Sequence, residues 1–373
     1  MQVEGTFDPA FSVLAEVFAS SVAEERERGA LCLRLDGRVV LDLYGGLARP
    51  EAAKPWTRDT LACCFSVTKG VFALLAHVLI DKGLLDEAAP VAAYWPAFAA
   101  RGKDRLTVLD ILTHRAGLPA VDVKVAPGLL YDRSGMEAAL CASAPVVPAQ
   151  AAPVYHNMTY GYLLGGILAR AGGAPVETLI ARHLTGPLEA DFRIGLDASD
   201  IVRCATLTQD DPTALFTALD EDPGSLFARS MAFFARDEDF NSERWRRGVI
   251  GSGSGHATAR AIASLYEQFV RPGGLLSWSR RLALGRLACA SDGPDPVMSM
   301  PIRYGAGVEL STPPALDFGP NPDALGYWGA GGAQGFADPD AGLAFGYVTG
   351  HMDRKLGTSP RAAALVAAVY DCL

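Results

Sequence analysis

Alternating apolar and polar residues near both ends of the chain predict antiparallel strands. Residues 30–48, ALCLRLDGRVVLDLYGGLA, alternate on both sides of Asp36-Gly37, and Asp-Gly between two such runs is a strong hairpin signal. Residues 304–310 and 334–350 have the same strand-like character, and ADPDAG within the second range supplies another hairpin turn. The two ends of the chain therefore predict strands of one antiparallel sheet.

Helical spacing of apolar residues predicts most of the remaining elements. Residues 8–28 have apolar side chains on one side of a helix, and the tail begins with Pro360, a residue common at helix starts. Thr107 is a capping residue, and Gly83 and Gly117 are typical of helix ends. The internal helices are predicted over residues 66–83, 107–117 and 159–172.

Strands at both ends and helices between them predict an α/β (α+β) fold of the two-lobed kind. We expect an antiparallel sheet flanked by the terminal helices, built from residues 1–65 and 255–373, with an all-helical lobe from residues 66–254 inserted between them. Small-molecule sites favour clefts between such lobes. The active site is therefore expected in the cleft.

Composition and charge exclude several classes of function. The chain has 373 residues, is 50% hydrophobic and 20% charged, and carries a net charge of −9, which suits a globular protein and not a nucleic-acid binder. Its most basic short segment, ERWRRG at residues 243–248, is interpreted as a solvated face. No apolar run reaches the roughly 18 residues of a membrane span, and the N-terminus lacks the basic start of a signal peptide. We expect a cytoplasmic protein of unknown oligomeric state that binds neither nucleic acid nor membrane.

The cysteines and histidines give no metal-binding pattern. The seven cysteines are widely spread without a C-x-x-C pair, and no H-E-x-x-H occurs, so we predict buried thiols, no metal and no cofactor. His156 is the histidine worth testing, because it follows Tyr155 and is a candidate for the cleft lining.

The segment FSVTKG is the first candidate for chemistry. Ser66 and Lys69 are three residues apart at a helix start, so their side chains share one face of the helix. A serine hydroxyl needs a base to become a nucleophile, and a lysine neutralised by burial can be that base or tune another one. The alternative is a helix cap followed by a lysine whose amine reaches water.

Two distant segments accompany this pair. YHN places Tyr155 and Asn157 just before a helix, where a tyrosine could relay a proton; the alternative is a core tyrosine. YWGAGG, from Tyr327 to Gly332, precedes a strand, and its glycines allow the backbone to approach a ligand closely; the alternative is a tight turn.

Together, the three segments resemble the S-x-x-K, Y-x-N and third motifs of the serine β-lactamase and penicillin-binding-protein superfamily. The likeness extends from about residue 28 onward, including LTHRAGLP at 112–119 and GSGSGHATARAIASLYE at 251–267, and is greatest to the class C β-lactamase-like carboxylesterases of family VIII. This resemblance implies a β-lactamase/transpeptidase-like fold.

The resemblance also implies roles for individual residues. Ser66 would accept the acyl group, Tyr155 would be general base and then acid, and Lys69 would lower the pKa of Tyr155 or share its proton. The amides of Ser66 and Ala330 would form the oxyanion hole, although counting the third motif from Trp328 instead of Tyr327 moves the second donor to Gly331. The residues expected to contact substrate are Asn157, His156, Tyr327, Trp328 and Gly329.

The third motif is also where the chain departs from the β-lactamases. Tyr327 or Trp328 stands where those enzymes have a lysine that binds the substrate carboxylate, so the resemblance implies a hydrolase of short-chain carboxylic esters and is compatible with weak hydrolysis of some β-lactams. The acyl pocket is expected from the helical insert, at about residues 120–155 and 225–250, where the resemblance is weakest. The alternatives are an amide-bond hydrolase of the same superfamily (a β-lactamase, a D-amino-acid peptidase or an oligoamide hydrolase) and an inactive binding protein on the same fold.

Overall fold

The computed structural model describes residues 3–23, 28–211, 214–353 and 356–373, and within them nine strands form one antiparallel sheet. In chain order these are β1 (Val3–Phe7), β2 (Gly29–Leu35), β3 (Arg38–Gly45), β4 (Cys289–Ala290), β5 (Arg303–Tyr304), β6 (Glu309–Leu310), β7 (Leu325–Trp328), β8 (Gln334–Asp338) and β9 (Leu343–Thr349). Their order across the sheet is β1-β3-β2-β9-β8-β7-β6-β5-β4.

The central strands confirm that both ends of the chain build one sheet. β2 pairs antiparallel with β9 from Gly29↔Thr349 to Leu35↔Leu343. The hairpin between β2 and β3 turns at Asp36 and Gly37, whose φ angles of 47° and 83° match the left-handed turn that Asp-Gly favours. β8 and β9 form the second predicted hairpin. β1 was not predicted, because it is a short edge strand whose side chains are mostly exposed.

The longer helices are α1 (Ser12–Ala23), α2 (Val67–Asp81), α3 (Arg133–Ala142), α4 (Thr159–Gly172), α5 (Ala259–Glu267) and α6 (Pro360–Asp371). The helices α1, α2, α4 and α6 agree with the predicted positions, whereas α3 and α5 were not predicted. Of the helix predicted over residues 8–28, residues 24–27 lie outside the described residues. The shorter α-helices are Val91–Tyr94, Val108–Leu112, Val176–Ile180, Gly186–Leu188, Ala198–Ile201, Ala214–Glu221, Leu226–Ser230, Glu243–Arg247 and Trp278–Leu284. Single 3-10 turns span Pro9–Phe11, Pro50–Ala52, Pro96–Ala99 and Leu129–Tyr131, and a π turn spans Ala181–Thr185.

The helix predicted over residues 107–117 is shorter than expected. Thr107 caps it through a capping box with Asp110, as predicted, but the helix ends at Leu112. The chain then turns sharply at His114, which adopts a φ of 58° in the left-handed region. This early stop places the His114 ring against the Tyr155 ring.

The two faces of the sheet belong to different cores. On β2, Leu31 and Leu33 pack with the terminal helices α1 and α6, which confirms that these helices flank the sheet. Ala30 and Cys32 on the other face belong to a larger core that extends into the inserted residues 66–254. That core surrounds α2, so the helix that follows Ser66 is buried between the sheet and the other helices of residues 66–254.

The insert is mainly helical but contains short strands. Within the insert, Phe192–Arg193 pairs with His256–Ala257, which also pairs with Ala62–Cys63, and Thr208–Gln209 pairs with His351–Met352; the partners of both insert strands lie outside it. A further pair, Leu47–Arg49 with Lys54–Pro55, lies wholly outside the insert. The interpretation of residues 243–248 as a solvated face is wrong for Trp245 and Arg246, which are buried.

No single described helix is long and apolar enough to cross a membrane; one bent pair, Thr159–Gly172 with Val176–Leu188, meets that test by length and composition.

Candidate active site

A strained turn presents Ser66 at the start of α2. Phe65 adopts a φ of 42°, a conformation that is unfavourable for a bulky residue and is found where surrounding packing enforces it. The Phe65 ring packs against Phe240 and Trp245, with ring centroids 5.2 and 6.0 Å away. Ser66 occupies the N-cap position, yet its side chain makes no capping hydrogen bond. The Ser66 hydroxyl is therefore available to other side chains.

Lys69 lies one helical turn after Ser66 and is fully buried. Its Nζ donates to Ser66 Oγ at 2.8 Å and to the Ser252 carbonyl at 3.1 Å. Burial at 0% exposure penalises the ammonium form, and this lowers the pKa of Lys69 to about 7, opposed by the attraction of Glu309. Near neutral pH a large share of Lys69 is thus the neutral amine, which can accept a proton.

Tyr155 approaches the same hydroxyl from the insert. Its phenol donates to Ser66 Oγ at 3.0 Å, and its backbone N–H donates to the Asp295 carboxylate at 2.8 Å. The His114 ring stacks on the Tyr155 ring with centroids 5.1 Å apart. These contacts hold the phenol in a fixed position beside Ser66.

The electrostatics favour a division of roles different from the expected one. Burial raises the pKa of the Tyr155 phenol well above its usual value, and the nearby Glu309 raises this pKa further. A tyrosinate base would therefore be scarce near neutral pH, whereas a neutral Lys69 amine is readily populated. In this geometry Lys69 can accept the Ser66 proton, and Tyr155 can donate one.

The end of β7 lies beside the turn that carries Ser66. The Gly329 N–H donates to the Ala333 carbonyl at 2.7 Å, and after Trp328 the chain leaves the strand and turns through Ala330 and Gly331. The choice between the amides of Ala330 and Gly331 as the second oxyanion donor stays a prediction.

The chain at Gly329 passes so close to Cys64 and Phe65, which precede Ser66, that a glycine is required there. A Cβ atom at Gly329 would lie 2.3 Å from the Cys64 carbonyl oxygen and 3.3 Å from the Phe65 Cβ. Neither the Ser66 nor the Ala330 N–H has an acceptor within the described ranges, so both amides remain available to an oxyanion.

The remaining candidates divide between cleft and core. Asn157 and Trp328 line the cleft. The Asn157 amide donates to Met231 Sδ at 2.9 Å. The side chain of Tyr327 is fully buried, and Gly329 packs on Cys64, so neither lines the cleft.

His156 is also placed in the core, contrary to expectation. Its Nδ1 bonds to the Val154 carbonyl at 2.6 Å, and its Nε2 accepts from the Leu118 N–H at 2.9 Å. Both ring nitrogens are thus occupied by backbone groups. The His156 N–H donates to His114 Nδ1 at 2.9 Å, which leaves His114 Nε2 to donate to the Tyr327 hydroxyl at 3.3 Å.

The cleft in front of Ser66 has a volume of about 310 Å³ and a mainly apolar lining. As predicted for residues 225–250, the insert supplies much of this lining; from residues 120–155 Tyr155 contributes. Polar contributions come from Gln209, Asp210, Asp211, Asp353 and Ser252. The large apolar side chains of the wall are Phe65, Met158, Phe227, Met231, Phe234, Phe240, Trp245, Met298, Trp328, Met352 and Leu356.

Sequence reasoning missed two polar groups that act on Lys69. The Ser252 carbonyl lies in GSGSG at residues 251–255, and a backbone acceptor leaves no side-chain signal in the sequence. Glu309 is a buried carboxyl within a strand-like segment, and no motif marks it. The described residues contain no group of three or more His, Cys, Asp or Glu side chains arranged to hold a metal ion.

Comparison of the chain with known proteins identifies its family. The sequence pattern of the family described as Beta-lactamase matches residues 14–368. The chain belongs to the beta-lactamase family. The esterase/beta-lactamase LipL of Mycobacterium tuberculosis (strain ATCC 25618 / H37Rv) is 33% identical over 361 residues, which cover 93% of this chain and 82% of that relative.

Solved structures of the beta-lactamase family share the whole architecture. A penicillin-binding protein homolog from Caulobacter crescentus is 33% identical with a TM-score of 0.90, and each chain is covered to 100%. A family VIII carboxylesterase is 32% identical with a TM-score of 0.87, again with 100% of both chains covered. The resemblance and the fold class predicted from the three motifs are therefore confirmed, and the chain is a hydrolase of the beta-lactamase superfamily.

Proposed function

We propose that this hydrolase cleaves short-chain carboxylic esters through an acyl-enzyme intermediate on Ser66. One observation carries the proposal: the Ser66 hydroxyl lies 2.8 Å from the Lys69 amine and 3.0 Å from the Tyr155 phenol, at the edge of an apolar cleft. A nucleophile in hydrogen-bond contact with a base and an acid is the arrangement that acyl transfer requires.

The proposed mechanism uses each group once in each half-reaction. Lys69 accepts the proton of Ser66 as Oγ attacks the ester carbonyl, and the amides of Ser66 and Ala330 stabilise the oxyanion. Tyr155 donates its proton to the leaving alcohol, which leaves a Tyr155 phenolate and a Lys69 ammonium beside the acylated Ser66. In the second half-reaction the phenolate takes a proton from the attacking water, the Lys69 ammonium protonates Ser66 Oγ as the acyl bond breaks, and the acid is released.

Two features support an ester over a β-lactam as substrate. Trp328, an apolar side chain in the third motif, lines the cleft where a charged residue would favour a carboxylate-bearing substrate. Relatives of this chain bear the names esterase/beta-lactamase and family VIII carboxylesterase. An amide-bond hydrolase of the same superfamily and an inactive binding protein are the competing functions.

Initial rates on three substrates separate these functions. We expect p-nitrophenyl acetate to be hydrolysed much faster than a chromogenic cephalosporin or a D-Ala-D-Ala peptide. A faster rate on the cephalosporin or the peptide would overturn the ester assignment. Absence of a fluorophosphonate adduct on Ser66 in the folded protein, measured by mass spectrometry, would favour the binding protein.

The substitution Ser66→Ala tests the nucleophile. We expect loss of ester hydrolysis and of the fluorophosphonate adduct, with the free energy of unfolding changed by no more than about 1 kcal/mol, because the Ser66 side chain caps nothing. Ser279→Ala, a matched change at an exposed serine, should retain full activity. Turnover by Ser66→Ala at the wild-type rate would disprove the mechanism.

A further inference from the structure

The segment LTHRAGLP, at residues 112–119, has no role in the mechanism above, although it contacts the loop that carries Tyr155. The Leu118 N–H donates to His156 Nε2 at 2.9 Å, and the Leu118 carbonyl accepts from the Thr159 hydroxyl at 2.6 Å. These bonds hold the residues that follow Tyr155 up to the start of α4. The segment therefore supports one of the three reacting side chains.

His114 of this segment contacts both neighbours of Tyr155 in the chain. The Val154 N–H donates to the His114 carbonyl at 3.1 Å, and the His156 N–H donates to His114 Nδ1 at 2.9 Å. The His114 ring also stacks on the Tyr155 ring, with the two planes 15° apart. His114 and His156 are buried, where a backbone N–H without an acceptor is unfavourable. These contacts therefore restrict the backbone on each side of Tyr155.

Two further contacts complete the support of Tyr155. Its own N–H donates to the Asp295 carboxylate at 2.8 Å, so the N–H groups of three consecutive residues all have acceptors. His114 Nε2 lies 3.3 Å from the Tyr327 hydroxyl on β7, the strand that leads into the third motif. His114 thus connects the loop of Tyr155 with that strand.

The His114 ring supports Tyr155 by contact and not by carrying a proton. Its Nδ1 accepts a backbone N–H, so the ring hydrogen is on Nε2. Burial keeps the pKa of His114 well below its usual value, and the positive charges that His156 and Lys69 can carry lower this pKa further. The ring is therefore neutral near pH 7. The titratable side chains that act on it are Lys69, Tyr155, His156, Tyr160, Tyr304 and Tyr327.

We propose that His114 is a positioning residue of the acylation site: it holds the Tyr155 phenol where it can protonate the leaving alcohol. This inference rests on the proposed function, in which Tyr155 is the acid. The Nδ1 acceptor is the essential feature, because without it the His156 N–H is left unpaired in the core and the loop shifts. Ser66 and Lys69 keep their own hydrogen bond at the start of α2, so the acid is displaced while the nucleophile and its base stay together.

Two esters of one acid distinguish a displaced proton donor from general damage to the site. Ethanol needs a proton as it leaves, whereas p-nitrophenolate leaves without one. In His114→Ala, we expect kcat/KM for ethyl butyrate to fall about 10²-fold, the lower end of what a general acid contributes, and kcat/KM for p-nitrophenyl butyrate to fall at most about threefold. A loss of equal size on both esters would overturn the inference.

His114→Asn tests the Nδ1 acceptor by rescue. Asparagine tolerates the left-handed conformation that His114 adopts, with a φ of 58°, and its Oδ1 can accept the His156 N–H. We expect His114→Asn to hydrolyse ethyl butyrate about tenfold faster than His114→Ala, even though it lacks the ring stack. An asparagine variant no better than the alanine variant would overturn the role of the acceptor.

Tyr155→Phe is the reference and His77→Ala the matched control. Tyr155→Phe removes the acid itself, so it should show the same selective loss on ethyl butyrate. His77 is equally buried, but its Nε2 contacts the Ala306 carbonyl at 2.6 Å, so His77→Ala should change both esters by the same factor. Selective loss in Tyr155→Phe without selective loss in His114→Ala would overturn the inference alone. Equal losses on both esters in Tyr155→Phe would instead overturn Tyr155 as the acid of the proposed function.

The wild-type protein keeps the inference testable if the His114 variants do not fold. With histidines labelled with ¹⁵N, we expect NMR spectra to show the His114 ring neutral, with its hydrogen on Nε2, across the range around pH 6.5 where an exposed histidine titrates. We also expect the His156 N–H to exchange with solvent as slowly as the buried amides of α2. A ring hydrogen on Nδ1, or fast exchange of the His156 N–H, would overturn the inference.

Discussion

At the scale of the residue, the chemistry of a lysine depends on what its amine faces. Lys69 and Lys103 are both fully buried. Lys103 donates to the carbonyls of Ala100, Cys141 and Ser143, so its three donor positions are filled by acceptors that cannot react. Lys69 has the Ser252 carbonyl and the Ser66 hydroxyl, and the second partner can give it a proton. Burial lowers the pKa of both lysine amines. Only Lys69 contacts a hydroxyl, that of Ser66, so only its neutral amine can accept a proton during acyl transfer.

The pH dependence of ester hydrolysis tests whether Lys69 is the base. Below its pKa of about 7, Lys69 is an ammonium and cannot accept the Ser66 proton; above it, the neutral amine can. We therefore expect kcat/KM for an uncharged ester to rise about tenfold per pH unit below 7 and to level off above it. The measurement is a pH profile from 5 to 10 corrected for spontaneous hydrolysis. A rise that continues to pH 10 would identify the Tyr155 phenolate as the base instead.

The sequence identified the reacting side chains better than their surroundings. Ser66, Lys69 and Tyr155 were predicted together, and the structure brings their polar atoms within hydrogen-bond distance. His156 was misplaced because the ring direction of a loop residue depends on backbone partners that the sequence does not encode. The Ser252 acceptor was missed for a related reason, since it is a backbone carbonyl and any residue type could supply it.

At the scale of the element, the residues at turns decided which strand and helix ends could be predicted from the sequence and which could not. Asp36-Gly37 located the first hairpin, because that dipeptide suits the left-handed turn it adopts. The helix after Thr107 was predicted from its cap, but its end was not, because His114 takes a left-handed conformation that the sequence does not signal. Tertiary packing enforces that conformation: the His114 ring stacks on Tyr155, Tyr160 and Tyr304.

The end of β7 gives a test at the same scale. In Gly329→Ala, the new Cβ would lie 2.3 Å from the Cys64 carbonyl, so the strand end must move away from the Ser66 turn. We expect kcat to fall by about 10²-fold, the typical effect of losing one oxyanion donor, while the protein remains folded. Gly224→Ala is the control, because its Cβ meets only Asp222 Oδ1 at 3.7 Å. Steady-state kinetics and thermal unfolding of both variants distinguish the outcomes, and unchanged kcat in Gly329→Ala would argue against an oxyanion donor at Ala330.

At the scale of the whole molecule, the site exists because distant segments share one core. The larger core contains Cys32 of the sheet, Phe72 of α2, Leu163 of the insert and Tyr327 of the third motif. The cleft combines the same parts, since Ser66, Phe227 and Trp328 all line it. Division of the chain into residues 1–65 with 255–373 and residues 66–254 stays a prediction. Ser66, Lys69 and Tyr155 all lie in residues 66–254, and Trp328 adds a lining residue from residues 255–373.

The insert should therefore determine which acyl or alcohol groups fit the cleft. Phe227 is a half-buried lining residue from a short helix of the insert, so Phe227→Ala should enlarge the cleft at little expense in stability. We expect the ratio of kcat/KM for p-nitrophenyl octanoate to that for the butyrate to rise about tenfold, because the longer chain gains apolar contact in the added space. Phe7→Ala is the matched control, since Phe7 is 46% exposed on the edge strand β1. An unchanged ratio in Phe227→Ala would show that the substrate chain lies along another wall of the cleft, such as the one formed by Met298 and Met352.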